Sequence, residues 1–312
     1  MDPVETTTTR ANPLIDPQLH IWHGEVALYL FLGGLAAGIM IITGAMRLRD
    51  RNAAWSSHLA LLSWCAPLLL SLGMFFLWLD LENPFNALRF YATFSWHSPM
   101  SWGAWILLLV FPVSILFAWT QTRRSASGRL ARFDAWARER EAPLAAWNVA
   151  GGVALGLYTG ILLASLAARP LWNSALLGPL FLVSGASTGA AFLLLFRLRD
   201  DERLALGRLD LFLVAIEIVV VGLWLASLAS GGRESRAAVA LFLGGPYTVS
   251  FWTLVFAVGL ATPLAAEWLE RRHGVVPGRV APVLVLIGGL ALRWILVSAG
   301  QSTGWAIDVA LH

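Results

Sequence analysis

The sequence has no lysine, a single cysteine and few charges: Asp, Glu and Arg make up 13% of its 312 residues, about half the share in an ordinary soluble domain. Each shortage excludes something. With Cys65 alone, the protein can form no internal disulfide and lacks the thiolates of an iron–sulfur cluster. Six histidines are present (His20, His23, His58, His97, His273 and His312) and none sits at the centre of a hydrophobic run. A bis-histidine haem therefore has no intramembrane ligand pair, and His23 with His97 is the one pairing left to it. No Walker loop, HExxH or zinc-type Cys/His spacing occurs. The net charge is +3, but the arginines gather in alternate loops instead of along one face, so they read as topology signals and not as a nucleic-acid surface.

What is abundant is apolar. Hydrophobic residues make up 58% of the chain, with 16 Trp and 28 Gly, the composition of a polytopic membrane protein. The opening "MDPVETTTTRANPLIDPQ" has neither a basic n-region nor an apolar h-region, so no cleavable signal is expected. Eight runs are long enough to cross a bilayer, at roughly 22–46, 56–79, 99–120, 144–168, 174–196, 210–230, 247–267 and 280–299. The seventh is preceded by "AAVALFLGGP", a half-helix or surface segment closed by Gly245 and Pro246. Of 22 arginines, 16 lie in the loops after spans 1, 3, 5 and 7. The positive-inside rule then sends both termini outward. The longest of these loops spaces Leu130, Phe133 and Ala137 helically among arginines, which suits either a short helix on the inner leaflet or a solvated basic loop. "GLAAG" in span 1 and "GASTG" in span 5 share a GxxxG, a faint sign of a parallel duplication of a four-helix unit.

The polar residues are unevenly placed. His23, Glu25 and Tyr29 open span 1, Asp80 and Glu82 end span 2, His97 precedes span 3, and Tyr158 and Arg169 lie near the outer end of span 4. Glu25, Tyr29, Gly33 and Ala37 recur every four residues and share one helix face. Gly152, Gly156 and Gly160 form a small-residue stripe, with Tyr158 on roughly the opposite side. Taken singly, the tyrosines also fit interfacial aromatics, Glu25 a helix-N-terminal carboxylate, Asp80 and Glu82 a solvated loop, and Arg169 an outer-edge anchor. Arg293 and Glu217 lie too deep for easy snorkelling, and with Ser184, Ser187 and Thr188 they make a possible intramembrane proton path or simple interhelical glue. A pole carrying Tyr, His, Glu and Asp suits a quinone, whose two carbonyl oxygens need hydrogen-bond donors and protons.

"YLFLGGLAAG", "SPMSWGAWILLL", "YTGILLASLAARPLWNSALLGPLFLVSGASTGAA" and "GGLALRWILVSAGQ" resemble the NrfD/PsrC family of quinone-interacting membrane subunits, typified by polysulfide reductase. The resemblance spans all eight segments, and "ARPLWNS" before a Ser/Gly-rich helix is its most specific element. It implies an all-α transmembrane fold of eight helices in two four-helix bundles (22–168 and 169–312, after an outer tail 1–21), without haem or iron–sulfur cluster, in the bacterial inner membrane. It implies a quinone, menaquinone or ubiquinone, in the first bundle. The implied partner is a four-cluster ferredoxin-like iron–sulfur subunit on the outer face, with a molybdopterin oxidoreductase or a multihaem cytochrome beyond it. Tyr158 falls at a quinone-contacting tyrosine of that family, whereas Tyr29 falls where a relative has histidine. His23, His97 and Arg169 join them as quinone contacts, and Glu25, Asp80 and Glu82 as proton-exchanging groups. A proton-translocating module and a purely structural anchor are the competing readings.

Overall fold

The computed structural model describes residues 24–50, 55–79, 98–122, 130–166, 169–273 and 278–303. Among them there is no strand, and eight helices are long and apolar enough to cross a membrane. They are α1 (Gly24–Arg49), α2 (Ser57–Leu79), α3 (Pro99–Thr122), α4 (Glu141–Ala164), α5 (Leu177–Leu194), α6 (Asp200–Ala229), α7 (Thr248–Glu270) and α8 (Val280–Gln301). Their ends agree with the expected spans except at α6, which begins ten residues early. There the Glu202 carboxylate accepts from the Arg199 N–H at 3.1 Å and from the Ser56 N–H at 2.8 Å, capping the helix start and fastening it to the segment before α2.

Local chemistry explains the irregularities. α2 breaks at Ser63 and Trp64, where Pro67 denies the carbonyl four residues earlier its helical donor. Its first turn is capped by Ser56 Oγ, which accepts from the Leu59 N–H at 3.1 Å. The segment before α7 contains a helix over Arg233–Ala240 and a turn in which Gly244 takes φ +117°, a conformation open mainly to glycine. Phe251–Ala261 within α7 is wound as a π-helix, with Gly259 backed directly onto Gly288 of α8. In the 123–140 loop a helix does form, over Leu130–Glu139, but its faces differ from the expected ones. Ala137 and Asp134 turn inward, while Phe133 and Trp136 stack outward with ring centroids 5.7 Å apart.

α1 is the most enclosed helix and packs against α2, α4, α5 and α8. The two GxxxG motifs meet on its flank: Gly34 lies against Gly185, and Gly38 against Gly185 and Gly189, in parallel register. A Cβ on Gly38 would overlap the Gly185 carbonyl, so only glycine allows the backbones this close. With little hydrophobic drive between helices in lipid, such dispersion contacts carry the association. At the arginine-rich pole, Arg47 of α1 pairs with Glu141 of α4 at 3.0 Å and donates to Gln121 of α3 at 2.8 and 2.6 Å.

Candidate functional site

The pole opposite those arginines carries the two tyrosines. Tyr29 sits about 7.5 Å inside the start of α1 and Tyr158 about 9 Å inside the end of α4, counted at 1.5 Å per residue, so they lie at similar depth. Each is 5% exposed. Both are seated on glycines of neighbouring helices. The Tyr29 ring packs on Gly73 of α2, and the Tyr158 ring and hydroxyl cover Gly103 of α3, where any Cβ would occupy their place. One turn deeper Gly33 approaches Thr159, which closes α1 against α4 beneath the pair. Gly156 and Gly160 turn the other side of α4 to Leu182, Leu177 and Gly178 of α5. The small-residue stripe thus directs Tyr158 away from α5 and toward α3.

Glu25, one turn from Tyr29 in the first turn of α1, has a buried Oε2 that makes no hydrogen bond to any of the described residues. A buried acceptor without a donor is costly unless it serves a ligand, water or proton. Two phenols and an unsatisfied carboxyl oxygen are the donor and acceptor types that a quinone headgroup requires. His23, Asp80, Glu82 and His97 lie outside the described residues.

Arg169 has a defined structural task. Its Nη1 donates to the carbonyls of Gln301 and Thr303 at 2.8 and 2.6 Å, neutralising the end of α8. In the same hairpin Trp172 donates Nε1–H to the Leu296 carbonyl at 2.8 Å and lies over Gly300. The "ARPLWNS" segment is a clasp between the α4–α5 connection and α8.

A second cluster lies in the helix interior. Arg293 of α8, fully buried, donates to Ser184 Oγ at 3.0 Å and to the Gly289 carbonyl at 2.9 Å, between the rings of Phe31 and Phe181. Glu217, 3% exposed, faces Ser184 and Ser187 and is held within Coulomb range of Arg293. Thr188 stands apart: its hydroxyl donates to the Ser184 carbonyl of its own helix at 2.8 Å. Two further buried carboxyls adjoin this cluster, Asp210 of α6 and Glu267 of α7. Sequence reasoning passed over both, because each coincided with the expected boundary of a span.

The family pattern described as "Polysulphide reductase, NrfD" matches residues 13–304. The chain belongs to the NrfD polysulphide reductase family. It is 28% identical to a polysulfide reductase chain from Wolinella succinogenes, over 90% of its own length and 95% of the relative's. It is 29% identical to the protein NrfD of Escherichia coli, over 91% and 96%. To a putative dimethyl sulfoxide reductase membrane subunit from Halobacterium salinarum it is 26% identical, over 86% and 66%. Family and helices together make it a multi-pass membrane protein.

Proposed function

We propose that this protein is the quinone-reactive membrane subunit of a respiratory reductase complex in the bacterial inner membrane. The observation that carries this reading is the pair of buried phenols, Tyr29 and Tyr158, seated on glycines at one pole beside the orphaned oxygen of Glu25. A bound quinone, menaquinone or ubiquinone, would supply a two-electron, two-proton couple at that pole. Tyr29 and Tyr158 hydrogen-bond and orient the headgroup, with His23 and His97 as further contacts. Glu25, with Asp80 or Glu82, exchanges protons with the outer solution. Arg169 keeps the wall of the site in place by holding the end of α8.

The chain divides into two four-helix groups, α1–α4 and α5–α8, with α5 packed closely on α1 and α4 along the glycine seam that joins them. The arginine distribution supports termini on the outer, periplasmic face. Electrons reach the tyrosine pole from a peripheral four-cluster ferredoxin-like iron–sulfur subunit docked there, itself served by a molybdopterin oxidoreductase or a multihaem cytochrome, since Cys65 alone cannot supply the thiolates of a cluster. The names of the polysulfide and dimethyl sulfoxide reductase relatives agree with such a complex.

Purifying the complex from its native membrane and identifying the subunits and quinone that co-elute tests the assignment. A co-purifying iron–sulfur subunit, extractable quinone, and quinol-linked turnover sensitive to Tyr158→Phe are expected. Absence of quinone together with turnover indifferent to both tyrosines would leave a structural anchor. The interior cluster favours a second activity on the same chain, proton translocation through Glu217, Ser184, Ser187 and Arg293, with Thr188 held to its own helix beside them. Its mark is proton movement across sealed vesicles that stops when quinone chemistry stops.

A further inference from the structure

α6 has 30 residues and is about 45 Å long, well beyond the thickness of a bilayer core. Its inward face carries Asp210, Val214, Glu217, Val221 and Trp224, all buried at helical spacing. Asp210 is fully enclosed and its carboxyl faces that of Glu267, which is 4% exposed and within hydrogen-bonding reach. Glu267 lies one turn from the arginine-rich end of α7, the inner side by the distribution of arginines. Neither oxygen of Asp210 accepts a hydrogen bond from an amide, hydroxyl or guanidinium among the described residues.

The charges that act on Asp210 are both negative, Glu267 across from it and Glu217 two turns further along α6. Among the described residues no guanidinium acts on Asp210. α5 has no charged residue, Arg293 of α8 acts on Glu217, Arg233, Glu234 and Arg236 belong to the short helix at the other end of α6, Arg203 and Arg208 lie on α6 itself, and Glu270, Arg271 and Arg272 follow Glu267 at the end of its own helix. Two adjacent carboxylates cannot both stay ionised in such surroundings, whereas a carboxyl and a carboxylate joined by one proton satisfy each other. Ser187 continues the polar line: its hydroxyl is fully buried and lies within hydrogen-bonding reach of Glu217.

We propose that Asp210 and Glu267 hold a single proton between them and form the loading site through which protons from the arginine-rich side enter the Glu217–Arg293 cluster. This rests on the proton-translocating reading. A second proton taken up at Glu267 makes the pair neutral. One proton then passes from Asp210 to the Glu217 carboxylate, and the pair returns to a charge of minus one. Asp210 and Glu217 are about 10 Å apart along the helix axis, so this transfer runs through a short chain of hydrogen-bonded waters. Neutral Glu217 no longer balances Arg293. That guanidinium lies against Gly34 of α1, little more than one turn below Tyr29, so the imbalance is created directly beneath the tyrosine pole.

Two measurements need neither quinone nor an electron donor. Dicyclohexylcarbodiimide, which modifies protonated carboxyls in apolar surroundings, should label Asp210 or Glu267 in the wild-type complex, as located by peptide mass spectrometry. A complex with neither residue labelled overturns the proposal. In infrared spectra a carboxylic carbonyl band that shifts in D2O should be present in the wild type, change frequency in Asp210→Asn and in Glu267→Gln, and be missing from the double variant; a band at the wild-type frequency in both single variants overturns it. In sealed vesicles Asp210→Asn should cut proton uptake from the arginine-rich side per quinol turnover by about 100-fold, and uptake equal to wild type refutes the loading role. If the wild-type complex shows no quinol turnover, the quinone reading fails, while the labelling and the band still judge the carboxyl pair.

Discussion

The two ends of this helix assembly treat polar groups in opposite ways. At the tyrosine pole, Tyr29, Tyr158 and Glu25 sit within about three turns of a helix end, on close-packed glycines, and Glu25 leaves one oxygen unsatisfied. In the α5–α8 interior, Arg293, Glu217, Asp210 and Glu267 are buried as ionisable groups, and Arg293 donates to one hydroxyl and two carbonyls, one of them long at 3.4 Å. The contrast teaches that the first region leaves an acceptor open near a helix end, whereas the second sets ionisable groups against one another inside the helix packing. A charge at the bilayer centre costs about 2.5–3.5 kcal/mol on insertion scales, which argues that the interior groups are retained for a task.

The largest effect should come from breaking the interior side of this comparison. Arg293→Met removes the cation that balances Glu217 and leaves an uncompensated buried acid, for an expected loss of about 3–5 kcal/mol in thermal or denaturant unfolding in detergent. Adding Glu217→Gln should restore part of it. A double variant as unstable as the single one would mean that the two residues are not coupled.

Next comes the tyrosine side. Tyr158→Phe removes one hydroxyl from the tyrosine pole and should lower quinol-linked turnover by about 100-fold, roughly 2.7 kcal/mol in barrier, with the unfolding temperature close to wild type. Gly103→Ala tests the same phenol from its seat. The added methyl pushes the ring off α3 and should cost about 1–3 kcal/mol of stability, with a raised KM for quinol that Tyr158→Phe/Gly103→Ala does not raise further. The smallest change is expected at the arginine pole. Arg47 is 11% exposed and paired with Glu141; Arg47→Met should cost about 1 kcal/mol and alter neither quinol turnover nor proton movement.

Much of this architecture was legible beforehand because bilayer crossing imposes a length and a composition. The eight runs, the arginine alternation and the small-residue faces of α1, α4 and α5 were all readable from spacing. The parallel meeting of "GLAAG" with "GASTG" was visible only as a faint repeat, since a motif does not name its partner helix. The interior acids escaped for a physical reason. A carboxyl at the edge of an apolar run looks like the place where the helix leaves the membrane, so Asp210 and Glu267 passed as boundaries. α6 in fact starts at Asp200, capped through Glu202, which moves Asp210 nearly three turns inside. Arg169 was open to misreading in a similar way: a guanidinium at the outer edge suits a ligand, an acid or a helix end, and only the fold brings the last carbonyls of α8 to it.

The sequence by itself determined the class of molecule, the eight crossings and the family, because hydropathy, charge asymmetry and local motifs act along the chain. Only the tertiary structure decided which glycines carry which tyrosine, that Arg169 serves a helix end, and that Asp210 meets Glu267. Those outcomes depend on contacts between residues tens to more than a hundred positions apart, and in lipid such contacts are chosen by close packing and polar pairing between helices.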